Sequence, residues 1–222
     1  MSYKLDFIKF MVKAEALTFG DFITKSGRKT PYFVNTGKYR DGQSIALLGK
    51  YYASCIMDNI RITEKTVLFG PAYKGIPLVV STSIALAERG INVKYCFNRK
   101  EVKDHGEGGE IVGHKLSPGD DVIIIEDVIT AGTAVREVLP LLRNAGATVK
   151  TLVISVDRME RGTGERTTIQ EIKEEFGIRA YSIVNVKEIL SNLHNQPIDG
   201  ITLINDELAA RMEAYMKEYC NL

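Results

Sequence analysis

The stretch Val122 to Thr133, V-I-I-I-E-D-V-I-T-A-G-T, constrains this chain more than any other part of it. Val122 to Ile125 are all β-branched, which suits a strand buried on both faces, as strands of a parallel sheet are. That strand delivers two carboxylates, Glu126 and Asp127, to its carboxyl end, where open α/β sheets bind their ligands. A few residues on, Thr130, Ala131, Gly132 and Thr133 lead into a helix. Small side chains leave backbone N–H groups bare there. The helix N-terminus adds its positive end, so the loop suits a phosphate dianion.

Two carboxylates tolerate a neighbouring phosphate only if something lies between them. A ribose meets that condition. Its 2′- and 3′-hydroxyls donate to the acids while its 5′-phosphate sits in the loop, with the hydroxyls of Thr130 and Thr133 as extra donors. The spacing therefore points to a ribose 5-phosphate rather than an isolated anion. A plainer alternative makes Asp127 the acidic N-cap of a core helix. It leaves the second carboxylate and the T-A-G-T run unexplained.

The surrounding chain alternates in the way such a strand needs. Apolar spacing predicts helices over Lys4–Ala16, Ser44–Met57, Pro77–Arg89, Thr133–Ala145, Thr168–Phe176 and Asp206–Tyr219. Gly90 and Gly146 close the third and fourth of these, and Pro140 is expected to kink the fourth. Short apolar strands are predicted at Tyr32–Val34, Val67–Phe69, Val93–Phe97, Val122–Ile125 and Val149–Val156. Strands alternating with helices imply βαβ units, hence an α/β fold around a parallel sheet flanked by helices. Asn98 to Gly113 stands apart, with four glycines and few apolar side chains. It is expected to be a mobile loop, and long loops of this kind often serve as lids.

Bulk properties narrow the function. With 222 residues the chain fits one domain, or one domain with a small cap. The net charge of +1 does not favour a nucleic-acid binder. The three scattered cysteines form no CxxC, which fits a reducing, cytoplasmic setting. The N-terminus lacks an apolar signal core, and no run approaches membrane-spanning length, so no membrane partner is expected. No GxxxxGK[ST] or HExxH occurs, and His105, His114 and His194 are too dispersed to argue a zinc site.

Glu126 to Thr133 resembles the phosphoribosyl pyrophosphate motif of the type I phosphoribosyltransferase family, and the rest of the chain resembles its orotate branch. The supporting pieces are Lys25-Ser26-Gly27-Arg28 with Pro31-Tyr32-Phe33, Gly70 to Pro77 (G-P-A-Y-K-G-I-P), the Asn98–Gly113 loop, and Asp157 to Gly162. The resemblance implies one phosphoribosyltransferase domain over residues 1–222, with about residues 1–40 contributing a cap. It implies transfer of a phosphoribosyl group from phosphoribosyl pyrophosphate to orotate, with Mg2+ as companion and no dedicated protein cage for the metal. It also implies a homodimer whose lid loop serves the partner's site.

Roles carry over residue by residue. Lys25, Tyr73, Lys74, Arg99, Lys100, Lys103 and His105 would meet the pyrophosphate, Lys103 as the main catalytic cation. Glu126 and Asp127 would hold the ribose, and Val128, Ile129, Thr130, Ala131, Gly132, Thr133 and Ala134 the phosphate. Phe33, Val34, Thr130 and Arg158 would hold orotate, Arg158 through its carboxylate. Two positions depart from the orotate pattern. Glu126 stands where two aspartates are usual, closer to purine-type relatives, and Val34 replaces an aromatic. The alternatives are a purine phosphoribosyltransferase and a non-enzymatic sensor of phosphoribosyl pyrophosphate.

Overall fold

A computed structural model describes residues 3–24, 27–103, 109–162 and 164–221, with residues 102, 103 and 109 described as backbone only. Its centre is a six-stranded sheet in the order β5-β4-β3-β6-β7-β8. The strands are β3 (Thr66–Gly70), β4 (Lys94–Lys103), β5 (Gly109–Gly113), β6 (Asp121–Val128), β7 (Thr148–Asp157) and β8 (Arg179–Asn185). Every neighbouring pair is parallel except the β4–β5 edge, which is antiparallel. The alternation expected from the sequence is therefore realised as a mostly parallel α/β sheet with β6 at its centre.

The period-2 geometry of strands explains the two cores. Val67, Phe69, Val122, Ile124, Leu152 and Ile154 point to one face, against α4 (Thr133–Asn144) and α5 (Thr168–Phe176). Leu68, Ile123, Ile125, Val153 and Ile183 point to the other. There they meet α1 (Tyr3–Lys13), α2 (Gly42–Asn59), α3 (Gly75–Ala87), α6 (Val186–Leu193) and α7 (Asp206–Tyr219). Residues Val122 to Asp127 are buried without interruption, as a two-sided strand requires.

Helix ends follow the sequence closely. After α3, Ile91 N–H bonds Leu86 C=O and Gly90 N–H bonds Ala87 C=O, with Gly90 left-handed at φ +80°. Gly146 closes α4 in the same way, and α4 runs through Pro140. A separate two-stranded hairpin, β1 (Leu17–Ile23) with β2 (Lys29–Val34), is followed by a 3-10 turn, Thr36–Lys38. A second small hairpin joins β9 (Pro197–Ile198) to β10 (Ile201–Thr202).

The elements beyond the sequence reading include β1, the 3-10 turn, β8, α6 and the β9–β10 hairpin. The Asn98–Gly113 segment is corrected in part. Residues 98–103 extend β4 and residues 109–113 form β5, paired at Phe97–Val112, Asn98–Ile111 and Lys103–Gly109. Edge pairing satisfies backbone groups that apolar burial could not order. Residues 104–108 lie outside the described residues. Among the described residues, no helix is long and apolar enough to cross a membrane.

Candidate active site

Strand β6 ends in the acid pair, and buried hydroxyls hold its backbone from both sides. Tyr52 on α2 donates to the Glu126 carbonyl at 2.7 Å, and Ser155 on β7 donates to the Asp127 carbonyl at 2.6 Å. The side chains themselves are buried, at 7% exposure for Glu126 and 6% for Asp127. The two acids are in different states. Burial, with Asp127 as a charged neighbour, pushes the Glu126 carboxyl up to about 8. Burial works the same way on Asp127. It is overcome there by Lys74, by the Thr36 hydroxyl and by the Val128 N–H, which hold this carboxyl below its ordinary range. The surroundings therefore favour the ionised form at Asp127 and disfavour it at Glu126.

The partners of Asp127 come from three elements. Lys74 Nζ lies 2.8 Å and Thr36 Oγ1 2.7 Å from the same oxygen, Oδ2, while Val128 N–H donates to Oδ1 at 2.7 Å. Lys74 is the N-cap residue of α3, the helix that opens after the Gly70–Gly75 turn. That turn demands glycine at both ends. A Cβ on Gly70 would sit 2.2 Å from the Gly75 carbonyl oxygen, and one on Gly75 would sit 2.7 Å from Pro71. Strand end and helix start can pack this closely only without side chains. Ala72 N–H is anchored by Asn98 Oδ1 at 2.8 Å, and Tyr73 is exposed.

The T-A-G-T loop follows directly. Val128 and Ile129 are half-buried as β6 leaves the sheet, and Thr130, Ala131 and Thr133 are exposed. Thr168 on α5 donates to the Thr130 carbonyl and fixes the loop from behind. Gly132 caps α4 in the left-handed region, φ +70° and ψ +16°, and no side chain caps the helix. The first-turn amides, beginning with Thr133 and half-buried Ala134, have no intrahelical acceptor and follow a run of small residues. An uncapped helix N-terminus of this kind suits an anion, and it lies a few residues from the buried acid pair.

Arg158 begins the segment after β7, next to β6 in the sheet. Its guanidinium lies over the Tyr32 ring at 5.3 Å, and Nη2 is 2.6 Å from Glu160 Oε1. Tyr215 on α7 donates to the same Glu160 oxygen at 2.6 Å. Among the described residues, Arg158 Nε is buried without a hydrogen-bond acceptor. The ion pair to Glu160 is thus present alongside an unfilled donor. Phe33 stacks on Phe22 at 5.5 Å, and Val34 packs against the main core.

Of the cations expected to meet the pyrophosphate, Lys100 on β4 reaches Glu137 on α4 at 3.4 Å and Arg99 is half-buried. Lys25, His105 and the side chain of Lys103 lie outside the described residues. A cavity of about 410 Å³ opens against Asp127, Lys74 and Thr36, with Arg40 on its wall. Among the described residues, no three His, Cys, Asp or Glu side chains gather as a metal cage.

The sequence reading missed Thr36, Tyr52 and Ser155. Thr36 lies 91 positions from Asp127 and Tyr52 lies 74 from Glu126, so no local pattern links them. Only the fold brings them together.

Comparison with known proteins agrees with this geometry. A family model described as phosphoribosyl transferase domain matches residues 35–191. The orotate phosphoribosyltransferase of Clostridium beijerinckii is 53% identical over 220 residues, covering 98% of each chain. That of Clostridium acetobutylicum is 52% identical over 219 residues, covering 98% of this chain and 97% of its own. Among solved structures, the orotate phosphoribosyltransferase of Francisella tularensis superposes with a TM-score of 0.85 at 33% identity, covering 97% of this chain and all of that one.

Proposed function

The chain belongs to the phosphoribosyltransferase family, and on that premise we propose that it transfers the 5-phosphoribosyl group of phosphoribosyl pyrophosphate to orotate, giving orotidine 5′-phosphate and pyrophosphate, a step of pyrimidine nucleotide biosynthesis. One observation carries this reading: a buried acid pair, with Asp127 held by Lys74 and Thr36, stands a few residues before an uncapped, glycine-led helix N-terminus. Diol and phosphate of one ribose fit the two together.

Breaking the bond from C1 to pyrophosphate makes the ring resemble an oxocarbenium cation, and negative charge grows on the leaving group. Asp127 accepts a ribose hydroxyl and faces the cationic ring with its fixed charge. Glu126, neutral near pH 7, hydrogen-bonds the second hydroxyl. The amides from Thr130 to Ala134 take the 5′-phosphate. Lys74 and Tyr73 face the pyrophosphate, joined by Lys25, Arg99, Lys100, Lys103 and His105, with Lys103 as the main catalytic cation. Arg158 takes the orotate carboxylate, exchanging Glu160 for the substrate, and Phe33 with Val34 and Thr130 lines the base site.

Mg2+ fits as a companion of the substrate, since the acid pair serves the diol and the ion prefers phosphate and ribose oxygens with retained water. When bound, it would neutralise leaving-group charge. The domain is proposed to span residues 1–222, with about residues 1–40 forming the cap. A cytoplasmic homodimer is proposed, with Lys103 and His105 reaching the partner's site and the lid excluding water from the activated ribose.

The test is a steady-state assay with phosphoribosyl pyrophosphate, Mg2+ and either orotate, hypoxanthine or adenine. Turnover of orotate alone supports the proposal. Because Glu126 matches the purine-type pattern, turnover of a purine without orotate would replace it with the purine reading.

A further inference from the structure

We propose that Thr36 is a positioning residue, which keeps Asp127 charged and aimed at the ribose diol once Lys74 leaves it for the pyrophosphate. This rests on the phosphoribosyl-transfer reading and concerns a residue outside the motifs that led to it.

Lys74 and Thr36 share one oxygen of Asp127, and Lys74 Nζ lies 3.5 Å from the Thr36 hydroxyl. The two partners differ in mobility. The Lys74 side chain is 68% exposed, while that of Asp127 is 9% exposed. Lys74 reaches in from solvent on a flexible stem and can swing away. A lysine engaged with Asp127 cannot also neutralise the leaving group, so binding of the pyrophosphate must draw it off. Asp127 is then left buried with its own Val128 N–H on Oδ1 and the Thr36 hydroxyl on Oδ2. An ionised buried carboxylate stripped of side-chain donors is costly, and it also rotates freely.

Thr36 is built to stay. Asn35, at the head of its 3-10 turn, accepts the Gly37 N–H through its side chain, and Asn35 N–H bonds the Ala16 carbonyl at 2.7 Å. The hydroxyl is therefore held by a capped turn tied to the start of β1. It fills one lone pair of Oδ2 and leaves the other for the ribose hydroxyl that replaces Lys74. Without Thr36, Asp127 would grip Lys74 harder in the free protein and be less satisfied in the complex. Both effects weaken phosphoribosyl pyrophosphate and leave orotate alone.

Steady-state kinetics and calorimetry on the full chain with Mg2+ test this. Thr36→Val keeps the shape and removes the donor. It should raise KM and Kd for phosphoribosyl pyrophosphate about tenfold, since a hydrogen bond to a charged group is lost. KM for orotate should stay near that of the parent, and Tm should fall by only a few °C, about what one hydrogen bond accounts for. Thr36→Ser should restore the parent values to within about twofold, because its hydroxyl can occupy the same place. A Val variant with parental affinity would overturn the assignment. So would a Ser variant as impaired as Val, or equal losses for both substrates with a Tm lowered well beyond that, which mark a structural role. A parent chain that neither binds nor turns over phosphoribosyl pyrophosphate would overturn the phosphoribosyl-transfer reading and this inference with it.

Discussion

Replacing Glu126 with Gln should make the substrate-free protein more stable above neutral pH. Glu126 is 7% exposed, and burial, with the Asp127 charge beside it, lifts its carboxyl from 4.5 to about 8. A carboxyl raised in the folded state is neutral there across the interval in which the unfolded chain is already ionised. Its stabilising contribution is full below pH 4.5 and drains away as pH climbs to about 8. At about 1.4 kcal/mol per pH unit the whole interval is worth at most about 5 kcal/mol, and water entry and relaxation around the pair reduce this to about 2–4 kcal/mol.

The substituted glutamine would remain neutral throughout, and its carbonyl could still accept the Asp127 N–H that Glu126 Oε1 accepts at 3.0 Å. For a chain of 222 residues, that gain corresponds to a Tm higher by about 5–15 °C at pH 8. Thermal melts of both proteins, followed by circular dichroism from about pH 5 to 8.5, read it directly. The parent should lose Tm across this range while Glu126→Gln stays flatter. Asp127 works in the opposite sense. Its lowered carboxyl stabilises above the ordinary value of 3.8, and that stability is lost in stronger acid, outside this window. Parallel curves for the two proteins would refute the assignment of a neutral Glu126.

Three further outcomes follow from the same geometry. Gly132→Ala forces a Cβ into the left-handed region, 3.0 Å from Ile172 and 3.1 Å from Thr168. It should cost about 1–2 kcal/mol in urea titrations and raise KM for phosphoribosyl pyrophosphate. Arg158→Ala should raise KM for orotate far more than that for phosphoribosyl pyrophosphate, and equal increases would argue against carboxylate recognition. Lys103→Ala should cut kcat by orders of magnitude while leaving Tm unchanged. Mixing it with inactive Asp127→Asn chains should recover activity if lid and pocket come from different subunits, and no recovery would place both in one chain.

The central strand, its acid pair and the anion loop were legible because their signals are local. Four consecutive β-branched residues, two adjacent carboxylates and a small-residue helix entry are each read within one window, and the fold places all of them as that window implies. The glycine-closed ends of α3 and α4 were legible for the same reason, since one left-handed residue decides them. The hairpin formed by β4 and β5 was not. Only the start of β4 carries an apolar pattern; residues 98–103 and 109–113 lack one and are ordered by pairing at the sheet edge, which no window contains.

The amino-acid sequence by itself determined which chemistry this protein carries: the acids, the bare amides and the cations, set at spacings that suit a phosphoribosyl group. Tertiary structure alone decided the charge state of those groups. Packing strips Glu126 of water and pushes its carboxyl up, while Thr36 and Lys74, distant in sequence, converge on one oxygen of Asp127 and hold its carboxyl down. Proton affinity depends on solvent exclusion and on nearby partners. Both are properties of the folded surroundings rather than of neighbours along the chain.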